Sequence, residues 1–441
     1  MPYHLLSRYA RTGATLVLIC LIAGLLAACG GSSTQTSTNA NAPATLTFWS
    51  WVPNLQQAVN LFEKSHPNIK VKLDNVGSGP TEYTKLTTAL KAGSGAPDVV
   101  QIEYSYLPQY ELMGKLVDLS QYGAGSLKND FVPWTWGQVS QGSKVYAIPQ
   151  DSGPLALLYR TDIFSRYHLA VPTTWAQYAQ EAIQLHQANP KIYMTNFSAT
   201  DGTWFNALAW QAGSQPFKVN GTNLTVHIND APALQVADYW NALVKSGAVS
   251  PMSNWTNDWY ADLQNGTLAT WVTAAWAPTD LTGFAAKSAG LWRVAPLPQW
   301  TPGAQVSANW GGSTDAVTTQ SKYPAQAAEF AEWLNTNASS VSTLCEKLYL
   351  FPTQTSELSS ASFNTASSFF GGQKVNQVFA QASQEVNTSF QWSPIEDYVN
   401  TQLQDQLSSA VQGKITFAQA LQNTQNAVVS YAQSQGFTVS G

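Results

Sequence analysis

Alternation of apolar and polar positions opens at Thr45-Leu46-Thr47-Phe48-Trp49, which predicts a strand with one buried face. Leu55, Ala58, Val59 and Phe62 then recur at helical spacing, and Asn54 stands where a capping residue belongs. Ile69, Val71 and Leu73, separated by Lys70 and Lys72, predict a second strand with one wet face. A helix over 81–92 follows, with Tyr83, Leu86 and Leu90 on one side and Gly93 at its end. Pro97-Asp98-Val99-Val100-Gln101-Ile102 reads as a buried strand. Strand–helix–strand–helix–strand implies right-handed crossovers and a mainly parallel sheet covered on both faces. Ligands of such sheets sit beyond the carboxyl ends of the strands. Those ends carry Trp49-Ser50-Trp51 and Glu103-Tyr104. Farther on, helices are predicted from Thr173/Thr174 to about Asn189, over 203–212 and over 232–246. Thr416-Phe417-Ala418-Gln419 reads as a capping box opening the last helix, with Gly436 past its end.

The first residues follow a different pattern. Arg8 and Arg11 precede an uncharged apolar run, Leu16 to Leu26, that closes on Leu26-Ala27-Ala28-Cys29. That run is shorter than the roughly 20 residues of a membrane span, so 1–28 read as a secretory signal. A cysteine after Leu-Ala-Ala resembles the bacterial lipobox, in which Cys29 would be acylated as the new N-terminus. Residues 29–43 are then the lipidated cysteine and a flexible tether, spanning about 20 Å as a random chain. The expected location is the extracytoplasmic face of the bacterial cell membrane, held there through the lipid alone.

Composition narrows the chemistry. The net charge of −5 becomes more negative once Arg8 and Arg11 leave with the signal, which argues against nucleic acid and anionic lipid as partners. Cys20 leaves with it too, so Cys345 is the one cysteine left to the folded part; it reads as a small buried residue of a helix. The five histidines (His4, His66, His168, His186 and His227) show no metal-site spacing, and no nucleophile elbow or phosphate loop appears. No cofactor is expected. Glu103, Asp151 and Glu396 could be paired for glycoside hydrolysis only if folding brings them together.

Seventeen tryptophans are more than packing alone normally uses. Indole faces suit the C–H faces of sugar rings, while carboxylates and amides suit their hydroxyls. Trp175 and Trp333 read as structural, and Trp210, Trp240, Trp271 and Trp292 as core. Trp49, Trp51, Trp204, Trp276, Trp310 and Trp392 fall at predicted strand ends or loops and are candidates for ligand contact.

Several segments in order resemble the solute-binding lipoproteins of bacterial carbohydrate ABC importers, the maltose-binding-protein-like family. They are Thr45 to Trp51, Gly95-Ala96-Pro97-Asp98-Val99-Val100, and Tyr146-Ala147-Ile148-Pro149-Gln150-Asp151 with Tyr159-Arg160-Thr161-Asp162. Pro172-Thr173-Thr174-Trp175, Asn265-Gly266-Thr267-Leu268-Ala269 with Trp276, Trp310-Gly311-Gly312-Ser313 and Phe351-Pro352-Thr353 complete the series. The resemblance implies an α/β, two-lobed periplasmic-binding-protein-like fold of class II type, each lobe a mainly parallel sheet flanked by helices. Lobe 1 would be 44–151 plus about 314–360, and lobe 2 about 152–313 plus about 361–441. A hinge of about three crossings would lie near 151–155, 310–315 and 355–372.

It also implies a monomeric, non-enzymatic receptor that captures a neutral mono- or oligosaccharide and delivers it to the importer's permease subunits. A sugar-sensing receptor of the same fold and a secreted glycan-active enzyme are the alternatives. The expected ligand contacts are Trp49, Trp51, Glu103, Tyr104 and Asp151 from the first half. Trp204, Trp276, Trp310, Gly311 and Trp392 are expected from the second. Two tryptophans in Phe131-Val132-Pro133-Trp134-Thr135-Trp136 depart from the maltose binder, so its particular sugar does not transfer.

Overall fold

The computed structural model describes residues 42–441; the segment read as a signal, Cys29 and most of the tether lie outside the described residues. The chain begins with β1 (Ala44–Trp49), α1 (Gln56–Ser65), β2 (Ile69–Asp74), α2 (Pro80–Ala92) and β3 (Val99–Glu103). This is the order that the apolar periodicity predicts. Asn54 is a correction: the N-cap of α1 is Leu55, with no side-chain cap, and Asn54 takes a left-handed turn conformation (φ 62°), its carbonyl accepting from Gln57 N–H. Leu46 and Phe48 of β1 and Val59 and Phe62 of α1 are buried. Phe330 of a later helix lies edge-on to both Phe48 and Phe62, at 5.3 and 4.9 Å.

Further along come α3 (Pro133–Val139), β4 (Ala147–Pro149), β5 (Leu155–Arg160), α4 (Trp175–Ala188), β6 (Thr195–Asn196), α5 (Gly202–Gln211) and α6 (Ala231–Lys245). β7 (Val249–Ser250), β8 (Thr270–Ala274), β9 (Trp292–Pro296), β10 (Ser313–Val317), α7 (Pro324–Thr336), α8 (Glu396–Val411) and α9 (Phe417–Ser434) follow. One five-stranded sheet has the order β2-β1-β3-β10-β4. Its strands run parallel except β10, which is antiparallel to both neighbours. In the second lobe β7 pairs parallel with β6, and β6 joins β8 through Ala269 N–H to Tyr193 O and Thr270 N–H to Met194 O. β8 and β9 then flank β5, both antiparallel to it. The second sheet therefore reads β7-β6-β8-β5-β9, again with one strand reversed.

The reversals share a cause. β4 ends at the carboxyl edge of the first sheet, and the chain enters the second lobe at its own carboxyl edge, so β5 must run backwards. β9 ends at the carboxyl edge of the second sheet, and β10 returns into the first by the same rule. These two passages lie side by side: Trp310 N–H donates to Gly153 O (2.8 Å), and Gly153 N–H donates to Asn309 Oδ1 (2.7 Å). A Cβ on Gly153 would stand 2.0 Å from Trp310 O, so only glycine allows this approach. Ser152 N–H donates to Phe351 O, and Gln373 bonds both Val294 N–H and Val294 O.

α8 and α9 pack against α5 and α6. Thr416 caps α9 through Gln419 N–H and Thr174 caps α4 through Gln177 N–H, as the sequence predicts. Cys345 is buried and free. Among the described residues no helix is long and apolar enough to cross a membrane.

Candidate functional site

Each lobe turns the carboxyl ends of its parallel strands toward the other, and the loops on those ends meet. In the first lobe a hydrogen-bond relay ties four strand ends together. Ser50 Oγ donates to Gln101 Oε1 (2.6 Å), Gln101 Nε2 to Ser313 Oγ (2.7 Å), and Ser313 Oγ to Asp151 Oδ1 (2.5 Å). Trp51 N–H joins the relay at Gln101 Oε1 (3.2 Å). Glu103, the last residue of β3, accepts from Tyr83 Oη at 3.0 Å. Tyr83 in turn stacks on Tyr106, ring centres 4.0 Å apart.

From the second lobe come Asp201, the N-cap of α5, and Thr203 beside it. Trp310 donates from its indole nitrogen to Thr203 Oγ1 (3.1 Å). Trp276 stands edge-on to Trp310 at 4.8 Å and donates from Nε1 to Trp310 O (3.1 Å). Gly311 (φ 75°) leaves room for that indole, because a Cβ there would come within 3.3 Å of Trp276 Nε1. Gly312 (φ 82°) lies closer still to its neighbours: its Cβ would meet Asp151 O and Ser152 Cα at 2.9 Å.

Electrostatics mark this set. Burial pushes the Glu103 carboxyl up to about 7, against the pull of the Tyr83 hydroxyl, and the charges of Asp151 and Asp201 push it further. Burial also raises Asp151 to about 6, opposed by the Ser313 hydrogen bonds, and raises Asp201. All three acids are thus raised chiefly by burial, and Glu103 also by the charges of the other two. A neighbouring crevice of about 760 Å³ is lined by Tyr83 and Tyr106 of the first lobe and by Asn400 and Gln404 of α8 in the second, while Glu103, Asp151, Asp201, Trp276 and Trp310 lie outside its lining. Among the described residues no group of His, Cys, Asp and Glu could hold a metal ion.

The predicted residues divide accordingly. Glu103, Asp151, Trp276, Trp310 and Gly311 are brought together; Trp49 and Trp51 lie half-buried at the adjoining end of β1. Tyr104 is fully buried against Trp134 (5.6 Å), its hydroxyl without a hydrogen-bond partner among the described residues. Trp204 is a correction. Its indole donates to Val272 O (3.0 Å) and its ring packs on Trp240 and Phe197, so it is core of the second lobe. α5 turns Thr203 to the site and Trp204, one position on, away from it.

Trp392 stands elsewhere, packed on Trp210 and Phe390 beside a separate groove of about 430 Å³ between the lobes. Glu396 is buried there too, bonded to Ser393 N–H rather than paired with Glu103 or Asp151. Trp210, read as core, is fully buried: Phe390 stacks on it at 4.4 Å, and Trp392 and Trp134 stand edge-on at 6.1 and 6.0 Å. Sequence reasoning missed Asp201, Thr203, Tyr83 and Tyr106. An Asp-Gly-Thr before an apolar helix was a usable capping signal for Asp201. Tyr83 reads as core from periodicity, and it is core except at its hydroxyl.

Comparison with known proteins follows the same geometry. The family model for bacterial extracellular solute-binding proteins matches residues 49–340. An ABC transporter-associated binding protein from B. animalis subsp. lactis, solved with β-1,6-galactobiose, is 32% identical and superposes with a TM-score of 0.79, covering 90% of this chain and 99% of that one. The galacto-N-biose/lacto-N-biose I-binding protein of a Bifidobacterium longum ABC transporter, solved with lacto-N-biose, is 27% identical with a TM-score of 0.81 and the same coverage. The arabinooligosaccharide-binding protein of Bacillus subtilis (strain 168) is 23% identical over 71% of this chain and 74% of its own. Two lobes facing each other by their strand ends and a family match over more than half of the sequence lead to one assignment: the chain belongs to the bacterial extracellular solute-binding proteins.

Proposed function

We propose that this protein is the receptor of a carbohydrate ABC importer, capturing a neutral mono- or oligosaccharide between its lobes and presenting it to the permease subunits. The observation that carries the reading is the meeting, at the facing strand ends, of Glu103 and Asp151 of the first lobe with Asp201, Trp276 and Trp310 of the second. Sugar rings offer apolar C–H faces to indoles and hydroxyl donors to carboxyl oxygens, and a cleft with both suits them. An anionic solute would be repelled by the three acids. The sugars carried in the solved complexes of relatives support the same class.

Capture needs no covalent step. The passages at 149–155, 296–313 and 351–373 are the proposed hinge, placing residues 44–151 and about 314–360 in the first lobe and the rest of the folded chain in the second. Hinge closure would wrap a sugar bound to one lobe with the other, and the permease would recognise the closed shape. Anchoring through lipid on Cys29 and action as a monomer belong to the same proposal. The test is a thermal-shift panel. Neutral saccharides should raise the unfolding midpoint; a panel in which only amino acids, metals or polyamines raise it rejects the reading.

A further inference from the structure

Trp255 is the one tryptophan that stands out into solvent, 45% exposed, and its backbone lies in the left-handed region (φ 66°). A bulky residue pays for that conformation, and it persists only where the surroundings fix it. Here both flanks are fixed. Asn254 accepts from Asn196 Nδ2 (2.5 Å) and donates from its backbone to Ser198 Oγ (3.3 Å), while Thr256 caps the next helix through Trp259 N–H (3.2 Å). The loop follows β7, whose carboxyl end shares an edge with those of β6 and β8, the strands that lead to Asp201 and Trp276. Trp255 therefore stands on the cleft side of its lobe.

Its ring centre is 5.8 Å from that of Trp276, which is 4.8 Å from that of Trp310. Exposure falls along this row, from Trp255 through half-buried Trp276 to buried Trp310. Tyr349 is also left-handed (φ 60°) and 62% exposed, yet among the described residues it has no ring contact. The row, not exposure alone, singles out Trp255.

We propose that Trp255 is an outer stacking platform, holding a sugar unit that projects beyond the enclosed cleft, so that the protein binds oligosaccharides more tightly than monosaccharides. This rests on the reading of the cleft as a saccharide site. In Trp255→Gly the left-handed backbone is kept without steric penalty, and what is lost is the indole with its ring contacts to Trp259, Trp271 and Trp276. The unfolding midpoint of the variant is measured beside its affinities, so that the loss of these ring contacts is read apart from any loss of binding. Affinities are compared for galactose, β-1,6-galactobiose and β-1,6-galactotriose, and for arabinose, arabinobiose and arabinotriose.

In wild type the longer members of a recognised series should bind at least about 5- to 30-fold tighter than the monosaccharide, the scale set by one well-placed aromatic. Trp255→Gly should erase that gain and leave the monosaccharide unchanged; Tyr349→Gly should leave the whole series unchanged. Equal weakening of all lengths, or no change at any length, overturns the platform while leaving the cleft reading intact. If wild type binds no member of either series and only amino acids, metals or polyamines raise its midpoint, both fail together.

Discussion

At the scale of single residues, the acids of the first lobe set a pH dependence with a definite sign. Glu82 is fully buried with no hydrogen-bond partner on either oxygen among the described residues, and burial, reinforced by Glu103, raises its carboxyl to about 8. Glu103 stands at about 7 and Asp315, buried among Asn335 and Gln150, also at about 7. Each binds its proton more tightly folded than unfolded. Their stabilisation is therefore complete below the ordinary carboxyl range and is lost as pH rises through the folded values. The unfolding midpoint should fall between about pH 5 and about pH 8, and Glu82→Gln should flatten that fall by keeping a neutral group in the same volume. An equal slope in wild type and variant would remove Glu82 from the explanation. None of this was legible in the sequence, where Glu82 is one polar residue in the first turn of an amphipathic helix. Burial of a carboxyl depends on what the rest of the chain lays over it.

At the scale of elements, strands and helices were legible wherever apolar spacing was strong, as in β1 to β3, α4 and α9. Caps at Thr174 and Thr416 were legible because the hydroxyl and the helix it serves are neighbours in sequence. Strand direction was not: β5 and β10 run backwards because of where the chain enters each lobe, a property of the tertiary path. The same path makes Gly153 indispensable in a way that no local pattern announces. Gly153→Ala would drive a methyl into the carbonyl of Trp310 and push the two passages apart. The expected cost is about 1–3 kcal/mol of stability or more, the range for overpacking a close contact. Denaturant unfolding measures it, and an unchanged midpoint would show that the passages yield freely.

For the whole molecule, the family was legible from the order of short motifs along the chain. The site was legible only in part. Trp276, Trp310, Glu103 and Asp151 sit at strand ends that the pattern located, whereas Trp204 and Trp392 depend on which way one helix and one loop face. The proposed anchor makes a separate prediction: Cys29→Ser should release the protein from membranes or leave it unprocessed, and unchanged mass with unchanged membrane retention would refute lipidation.

The central claim is that the aromatic and acidic groups between the lobes hold a neutral sugar, and calorimetric titration of wild type beside Trp276→Ala and Trp204→Ala tests it most directly. Wild type should bind one saccharide per chain with roughly micromolar affinity, near −8 kcal/mol. Trp276→Ala should weaken binding by about 1–3 kcal/mol, as loss of a stacking face requires, and loss of its hydrogen bond to Trp310 O should lower the midpoint as well. Trp204→Ala should lower the midpoint by loss of core packing and spare affinity. Saccharide binding that is unaffected by Trp276→Ala, or no saccharide binding by wild type at all, would contradict the account.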